Sequence, residues 1–499
     1  MRRILMIEAS KSFLQEHFNS SLLDYARVQR WYAHKALKAT RLEILSAFPL
    51  DSPHLIIALI CEITFAGDEK ALYYIPVEIS ETEDENAIGS FVINGECISL
   101  RDAFLSRRYA DSLLDNFMIG ARISDEGCSI SFSVIDSFGK PPDREFHQIK
   151  SEQSNSSFII GNSIIIKNYR NIKPGENPDI DIPEKLFAHG AFRETPAPIG
   201  DVAYYGKSGK IYLAYASRFI ADSEDAWSRY NRLFSDLLRR NSAGDNFEGK
   251  FQTEFIQAAG NLGRLTGRMH SALSSIDSPS FTPEEVGKKD ITGITSQIRV
   301  YLETAGSMME ERKSISSQLR GSHASDKWLR SLEYAEDYLL SRLRGSHAQK
   351  IRVHGDYHLG QILMAGDSYY VIDFEGEPMK NISERIRKYP PEKDIAGMIR
   401  SLDYLLQSVF KMERNGGVEE FINVTRVRAE NVFVDAYREA INSNLELLGT
   451  DPGFAEMLLK MFVAEKSAYE LVYELNNRPE WIEVPLNSVS RILNELKIK

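Results

Sequence analysis

The chain has little cysteine, no excess of positive charge and no long apolar run. Each shortage removes a class of function. The three cysteines, Cys61, Cys97 and Cys128, are scattered and odd in number, so neither a disulfide framework nor a zinc-ligand spacing follows. The 60 basic residues stand against 71 acidic ones, a net charge of −11, which argues against nucleic acid or an anionic membrane as the main partner. No stretch approaches membrane-helix length. The apolar run after Arg2-Arg3 stops at Glu8, too short for a signal peptide, and a cytoplasmic location is expected. There is also no Gly-x-Gly-x-x-Gly loop, so any phosphate-binding segment must be built another way. At 43% hydrophobic and 26% charged residues over 499 positions, the composition is globular, and the length suggests two or three domains.

What is present is concentrated between residues 354 and 378. In His354-Gly-Asp-Tyr-His-Leu-Gly-Gln361, Asp356 and Gln361 have the separation of the Asp and Asn in the Asp-x-x-x-x-Asn loop of protein kinases. Ile362-Leu-Met364 and Tyr369-Tyr-Val-Ile372 are strand-like runs around Ala365-Gly-Asp367, which is turn chemistry. A turn centred near Asp367 would set Gln361 across from Asp373, so that both could hold Mg²⁺, an ion that combines few protein ligands with phosphate oxygens. Asp356 is placed to accept a proton from an attacking hydroxyl. His354 is expected to brace this loop. His354, His358 and Glu375 are the candidates for contact with the acceptor.

A second hairpin is read around Gly161-Asn162. It would bring Ser156 across from Lys167, beside the small polar segment Ser154, Asn155, Ser156 and Ser157. Small side chains let backbone N–H groups approach a phosphate, and Lys167 would supply the charge. A carboxylate partner for Lys167 is sought in Asn177-Pro-Asp-Ile-Asp-Ile-Pro-Glu184. Asp181 is preferred and Glu184 is the alternative. The strand-like run Ile211–Ile220, with Ser217 and Phe219, is where adenine would meet backbone groups. Near the C-terminus, Lys466, Tyr469, Glu470 and Tyr473 share one helix face. Lys466, Tyr469 and Tyr473 suit a polyhydroxyl ligand; the plain alternative is a solvated face with a Lys466–Glu470 ion pair. His270 reads as a structural helix residue rather than a catalyst.

These motifs resemble the maltokinase family, relatives of the aminoglycoside phosphotransferases. The resemblance runs from Gln29-Arg-Trp-Tyr-Ala-His-Lys35 through Gln153–Ser157, Lys167, Asn177–Asp181, His354–Gln361 and Asp373–Pro378 to Asp394–Tyr404 and Glu465–Glu470. Two positions depart from it: His34, where Gly or Ser is more common, and Asp181, where Glu is usual. The resemblance implies an α+β, bilobal protein-kinase-like (aminoglycoside phosphotransferase-like) fold. Its parts would be an N-terminal cap (1–90), an intermediate subdomain with an ATP-binding sheet (91–220), and a mainly helical C-terminal lobe (221–499). It implies ATP and Mg²⁺ as cofactors, maltose as acceptor at its anomeric hydroxyl, and trehalose synthase as a partner. Another sugar or aminosugar, such as glucosamine, is the alternative acceptor. A non-catalytic relative would be expected to lack Lys167, Asp356 or Asp373, and all three are present.

Overall fold

The computed structural model describes residues 10–51, 55–81, 86–93, 96–136, 143–149, 155–240, 247–311, 322–377, 380–411, 416–441 and 446–496. The first nine residues and Ser154, read above from sequence, lie outside these. By packing, the chain divides into two compact units, Met1–Glu184 with Pro196–Ala221, and Lys185–Thr195 with Asp222–Lys499.

The first unit opens with α1 (Lys11–Val28), β1 (Ala39–Pro49), β2 (Ile56–Phe65), β3 (Lys70–Ser80), β4 (Gly89–Ile93), β5 (Glu96–Asp102) and α2 (Arg107–Met118). The five strands lie in the order β1-β2-β3-β5-β4. Helix α1 stops at Val28, because Gln29 turns to an extended conformation (φ −76°, ψ 151°). Alternation explains how β2 is buried on both faces. Its Ile57, Leu59, Cys61 and Ile63 join a core with Leu14, Phe18 and Leu22 of α1. Its Ile56, Ala58 and Ile60 join a second core with Leu113, Leu114 and Phe117 of α2.

The unit continues with β6 (Arg122–Asp125), β7 (Cys128–Val134), β8 (Phe146–Ile149), β9 (Asn155–Ile160), β10 (Ile164–Tyr169), β11 (Asn171–Ile172), α3 (Pro178–His189), β12 (Pro198–Gly206) and β13 (Gly209–Arg218). A second sheet runs β6-β7-β12-β13-β10-β9-β8, while β11 pairs with β3 of the first sheet.

The second unit is mainly helical. It comprises β14 (Glu224–Asp225), α4 (Ala226–Arg240), α5 (Phe247–Ser274), β15 (Glu284–Glu285), α6 (Lys288–Glu311), α7 (Ser322–Ser346), β16 (Gln349–Lys350), β17 (Ile362–Ala365), β18 (Ser368–Val371), α8 (Ile382–Arg385), α9 (Glu392–Val409), α10 (Gly416–Ala440), α11 (Pro452–Asn477) and α12 (Glu483–Glu495). Strands β14, β17 and β18 form one small sheet. Helix α9 lies at the centre, with Ile395, Met398, Leu402, Leu405 and Leu406 all buried. Helix α11 begins at Asp451, whose carboxylate accepts from Gly453 N–H and Phe454 N–H, with Pro452 in the first turn. Among the described residues, no helix is long and apolar enough to cross a membrane. Sheet dominates the first unit and helix the second, the α+β organisation expected from the sequence.

Candidate active site

One face of α9 holds the segment His354–Gln361. Asp394, Gly397 and Ser401 are spaced to share that face. The Asp394 carboxylate accepts from His354 N–H at 2.7 Å and Gly355 N–H at 2.9 Å. The Ser401 hydroxyl accepts from Leu359 N–H at 3.1 Å. Gly397 lets the loop approach: a Cβ there would stand 2.5 Å from the Tyr357 carbonyl oxygen. Gly355 has φ +87°, a conformation that side chains other than glycine's disfavour. Asp394 is itself fixed by His270, whose Nε2–H donates to it at 3.1 Å while Nδ1 accepts from the Tyr437 hydroxyl at 3.0 Å. Burial pushes the Asp394 pKa up, but the hydrogen bonds from His270 and the loop's backbone donors outweigh burial and leave it lowered. His270 is therefore structural, as read, though through a role in the loop that no local pattern disclosed. Gly397→Ala is expected to displace Tyr357 and lower stability by about 1–3 kcal/mol, with reduced turnover. Denaturant midpoint and activity measured on the same preparation check this.

His354 is 1% exposed. Its Nε2–H donates to the Ile372 carbonyl at 2.9 Å, and its Nδ1 faces Asp356 N–H at 3.4 Å. It braces the loop, and its expected place among acceptor contacts is corrected by that burial. His358 Nδ1 accepts from Gly360 N–H at 3.1 Å, and its Nε2 lies 4.0 Å from Asp356 Oδ2. The hairpin register differs by one residue from the reading above. β17 and β18 pair Ile362 with Val371 and Ala365 with Ser368, so the turn is Gly366-Asp367 and Gln361 faces Ile372, whose N–H it accepts at 3.0 Å. Asp373 comes one residue later with φ +57°, in the left-handed region that Asp visits more readily than most residues. Gln361, Asp373 and Glu375 offer hard oxygen donors, a set that fits Mg²⁺. Glu375 also lies 3.7 Å from Arg385.

Asp356 sits in a pocket whose walls include Tyr301, Glu377, Lys393, Glu465, Lys466 and Tyr469. Lys466 Nζ donates to Asp356 Oδ1 at 2.9 Å, with both side chains about 20% exposed or less. The Lys466–Glu470 pair considered from the sequence does not form as the main contact. Glu470 instead accepts from Arg400 Nε and Nη2 at 2.9 and 2.7 Å, which ties α11 to α9. Tyr469 lines the pocket, whereas Tyr473 is 44% exposed and stacks on Tyr469 from outside. Tyr473 is thus set apart from the expected sugar contacts, because a turn of helix carries it past the pocket.

Burial favours the neutral form of Asp356, yet the Lys466 ammonium and the nearby His358 hold its pKa well below the usual carboxylate range. The contribution to stability is present above that range and is lost only as pH falls through the lowered value. In Lys466→Met the burial effect acts without the ammonium, so the Asp356 pKa rises. The acid limb of the activity profile should move up by about one pH unit or more, as kcat/KM measured against pH would show.

In the first unit, Lys167 pairs with Ser157 across β9–β10, where Ser156 was expected. The three-residue loop Gly161-Asn162-Ser163, with positive φ at Gly161 and Asn162, shifts the register by one. Asn155, Ser156 and Ser157 lie in β9 rather than in a loop, and Ser156 accepts from Arg170 Nε at 3.2 Å. The carboxylate shown on Lys167 is Asp179, at 2.9 Å, with Asp179 buried and Lys167 half-buried. Asp181, preferred from the sequence, accepts from the Tyr212 hydroxyl at 3.1 Å. Asp179 is one half-turn earlier on α3, a choice that helix spacing alone left open. Ser217 sits in β13 opposite Ile165, and Phe219 N–H donates to the Ser163 carbonyl at 2.8 Å.

No protein-family model matches the chain. It is 26% identical over 366 residues to the glucosamine kinase of Streptacidiphilus jiangxiensis, covering 72% of this chain and 77% of that protein. It is 23% identical over 349 residues to the glucosamine kinase of Mycolicibacterium smegmatis, covering 70% and 79%. Among solved structures, a glucosamine kinase in complex with glucosamine, ADP and inorganic phosphate aligns with TM-score 0.65 at 19% identity, over 94% of this chain and 98% of that one. The chain therefore has the fold of these kinases, the kinase-like class the motifs implied. The enzyme named in each is the aminosugar alternative rather than a maltokinase.

Proposed function

We propose that this chain transfers a phosphoryl group from ATP to a hydroxyl of an aminosugar, with glucosamine as the acceptor. The observation that carries this reading is the pocket at Asp356, where Glu377 and Glu465 add two further carboxylates. Lys466 pairs with Asp356 at 2.9 Å and Lys393 with Glu377 at 2.7 Å, so Glu465, with Tyr301 and Tyr469 as walls, is the carboxylate offered to a sugar bearing an ammonium group. The named relatives support the same acceptor in preference to maltose.

In this mechanism Asp356 orients the acceptor hydroxyl and receives its proton. A strongly ionised carboxylate serves because phosphoryl transfer proceeds through a loose transition state, in which positioning outweighs proton abstraction. The Asp394 bracket and His354 hold the Asp356 backbone, and Lys466 holds its side chain. Lys167, fixed by Asp179, is assigned to the ATP phosphates together with Asn155, Ser156 and Ser157. Asp373 and Gln361, with Glu375 near them in sequence, are assigned to Mg²⁺, which when bound would neutralise charge on the phosphate oxygens. An ADP-release assay with glucosamine, glucose and maltose tests the acceptor. Glucosamine should exceed glucose in kcat/KM by about 10²-fold or more, since a site built around an ammonium rejects an analogue lacking it. Turnover of maltose equal to or above that of glucosamine would return the acceptor to the anomeric hydroxyl.

A further inference from the structure

A different face of α9, carrying Glu392, Ile395 and Ile399, borders an open cavity of about 490 Å³ also lined by α10, α11 and α12. None of the residues around Asp356 lines it. Ile395, Ile399, Leu459 and Val463 give it apolar walls. Its rim charges are paired with one another or with close neighbours: Glu430 with Arg426 at 2.8 Å, Glu456 with Lys460 at 2.7 Å, Glu495 with Arg491 at 3.5 Å and Asp435 with Arg438 at 3.8 Å.

Glu392 is the exception. It is 2% exposed, and its Oε1 has no hydrogen-bond partner among the described residues. An unsatisfied buried oxygen in a native structure calls for a partner. Glu392 also lines the cavity, which is large enough for a small molecule, and the bases on its rim each lie near a carboxylate. Burial pushes the Glu392 pKa up to about 8, against the smaller opposing effects of its own backbone hydrogen bond and of Arg438. A cation reaching it would favour the charged form.

We propose that this cavity is a second ligand site, separate from the pocket at Asp356, that takes a small organic ammonium ion. The alkyl part would lie on the apolar walls and the N–H groups would donate to Glu392. Tyr437, which also lines the cavity, is the residue whose hydroxyl bonds His270, so the site adjoins the bracket of the loop.

The test uses the full chain and n-butylammonium as probe, with n-butanol and butyrate as neutral and anionic counterparts, followed by ligand-observed NMR. Butylammonium should bind more tightly than butanol, and butyrate should not bind. Binding should weaken about tenfold or more in Glu392→Gln and be lost in Leu459→Trp, which fills the cavity. Val434→Trp, placed on the half-buried rim, serves the same purpose should Leu459→Trp fail to fold. Butylammonium binding unchanged in Glu392→Gln and in the filled variant would overturn the proposal. So would absence of binding to the unaltered chain, or equal binding of butyrate.

Discussion

Asp356→Asn should lower kcat with ATP and glucosamine by about 10²–10⁴-fold, the range for removing a positioned general base, while leaving acceptor binding within a few-fold. An amide still accepts from Lys466 Nζ, so the 2.9 Å contact and the pocket shape should survive. The loss should therefore appear in kcat rather than KM. Rapid-quench or steady-state kinetics alongside a binding measurement separate the two. Near-normal turnover in Asp356→Asn would remove Asp356 from the chemistry and leave the pocket without a base.

The second large effect is expected at Asp394, which touches no substrate in the proposed mechanism. Asp394→Ala strips the partner from His354 N–H, Gly355 N–H and the His270 ring, all held by one carboxylate that is 1% exposed. Three buried polar groups left unsatisfied, at about 1–3 kcal/mol each, should lower stability by at least ~3 kcal/mol. A urea transition would move to lower midpoint with an unchanged slope. Asp394→Asn keeps an acceptor and should be milder in stability, yet still reduce kcat, because the backbone carrying Asp356 is less firmly held. If Asp394→Asn folded normally and kept its full kcat, the bracket would be a stability device alone.

Much of the candidate site was proposed from the chain because its signals are local. Asp356 and Gln361 lie within one short turn, Asp373 follows one hairpin, and Lys167 lies in a strand next to a Gly-Asn turn. The errors are local too, and of one kind. Both hairpins shifted by a single residue, since a one-residue difference in loop length changes every cross-strand pair and the turn residues at 161–163 and 366–367 did not declare that length. Asp179 and Asp181 differ by one half-turn of α3, and only the packing of β10 and β13 against the helix decided between them.

Other roles had no local signal at all. Lys466 is 110 positions from Asp356, and Glu470 finds Arg400 rather than Lys466 because α9 crosses α11 there. His270, Asp394 and the loop backbone come from three separated stretches and meet only because α5 and α9 pack together. By itself the sequence supplied the residues of the proposed chemistry: a carboxylate proposed as base, oxygen donors proposed for Mg²⁺, a lysine proposed for phosphate, and an acidic chain poorly suited to nucleic acid. Tertiary structure decided which carboxylate meets which cation, which histidines are braces, and where the spare buried carboxyl of Glu392 is left. Spacing along a helix or strand constrains neighbours within a turn or a hairpin, whereas contacts between elements depend on how buried faces pack, and that is written in the whole chain at once.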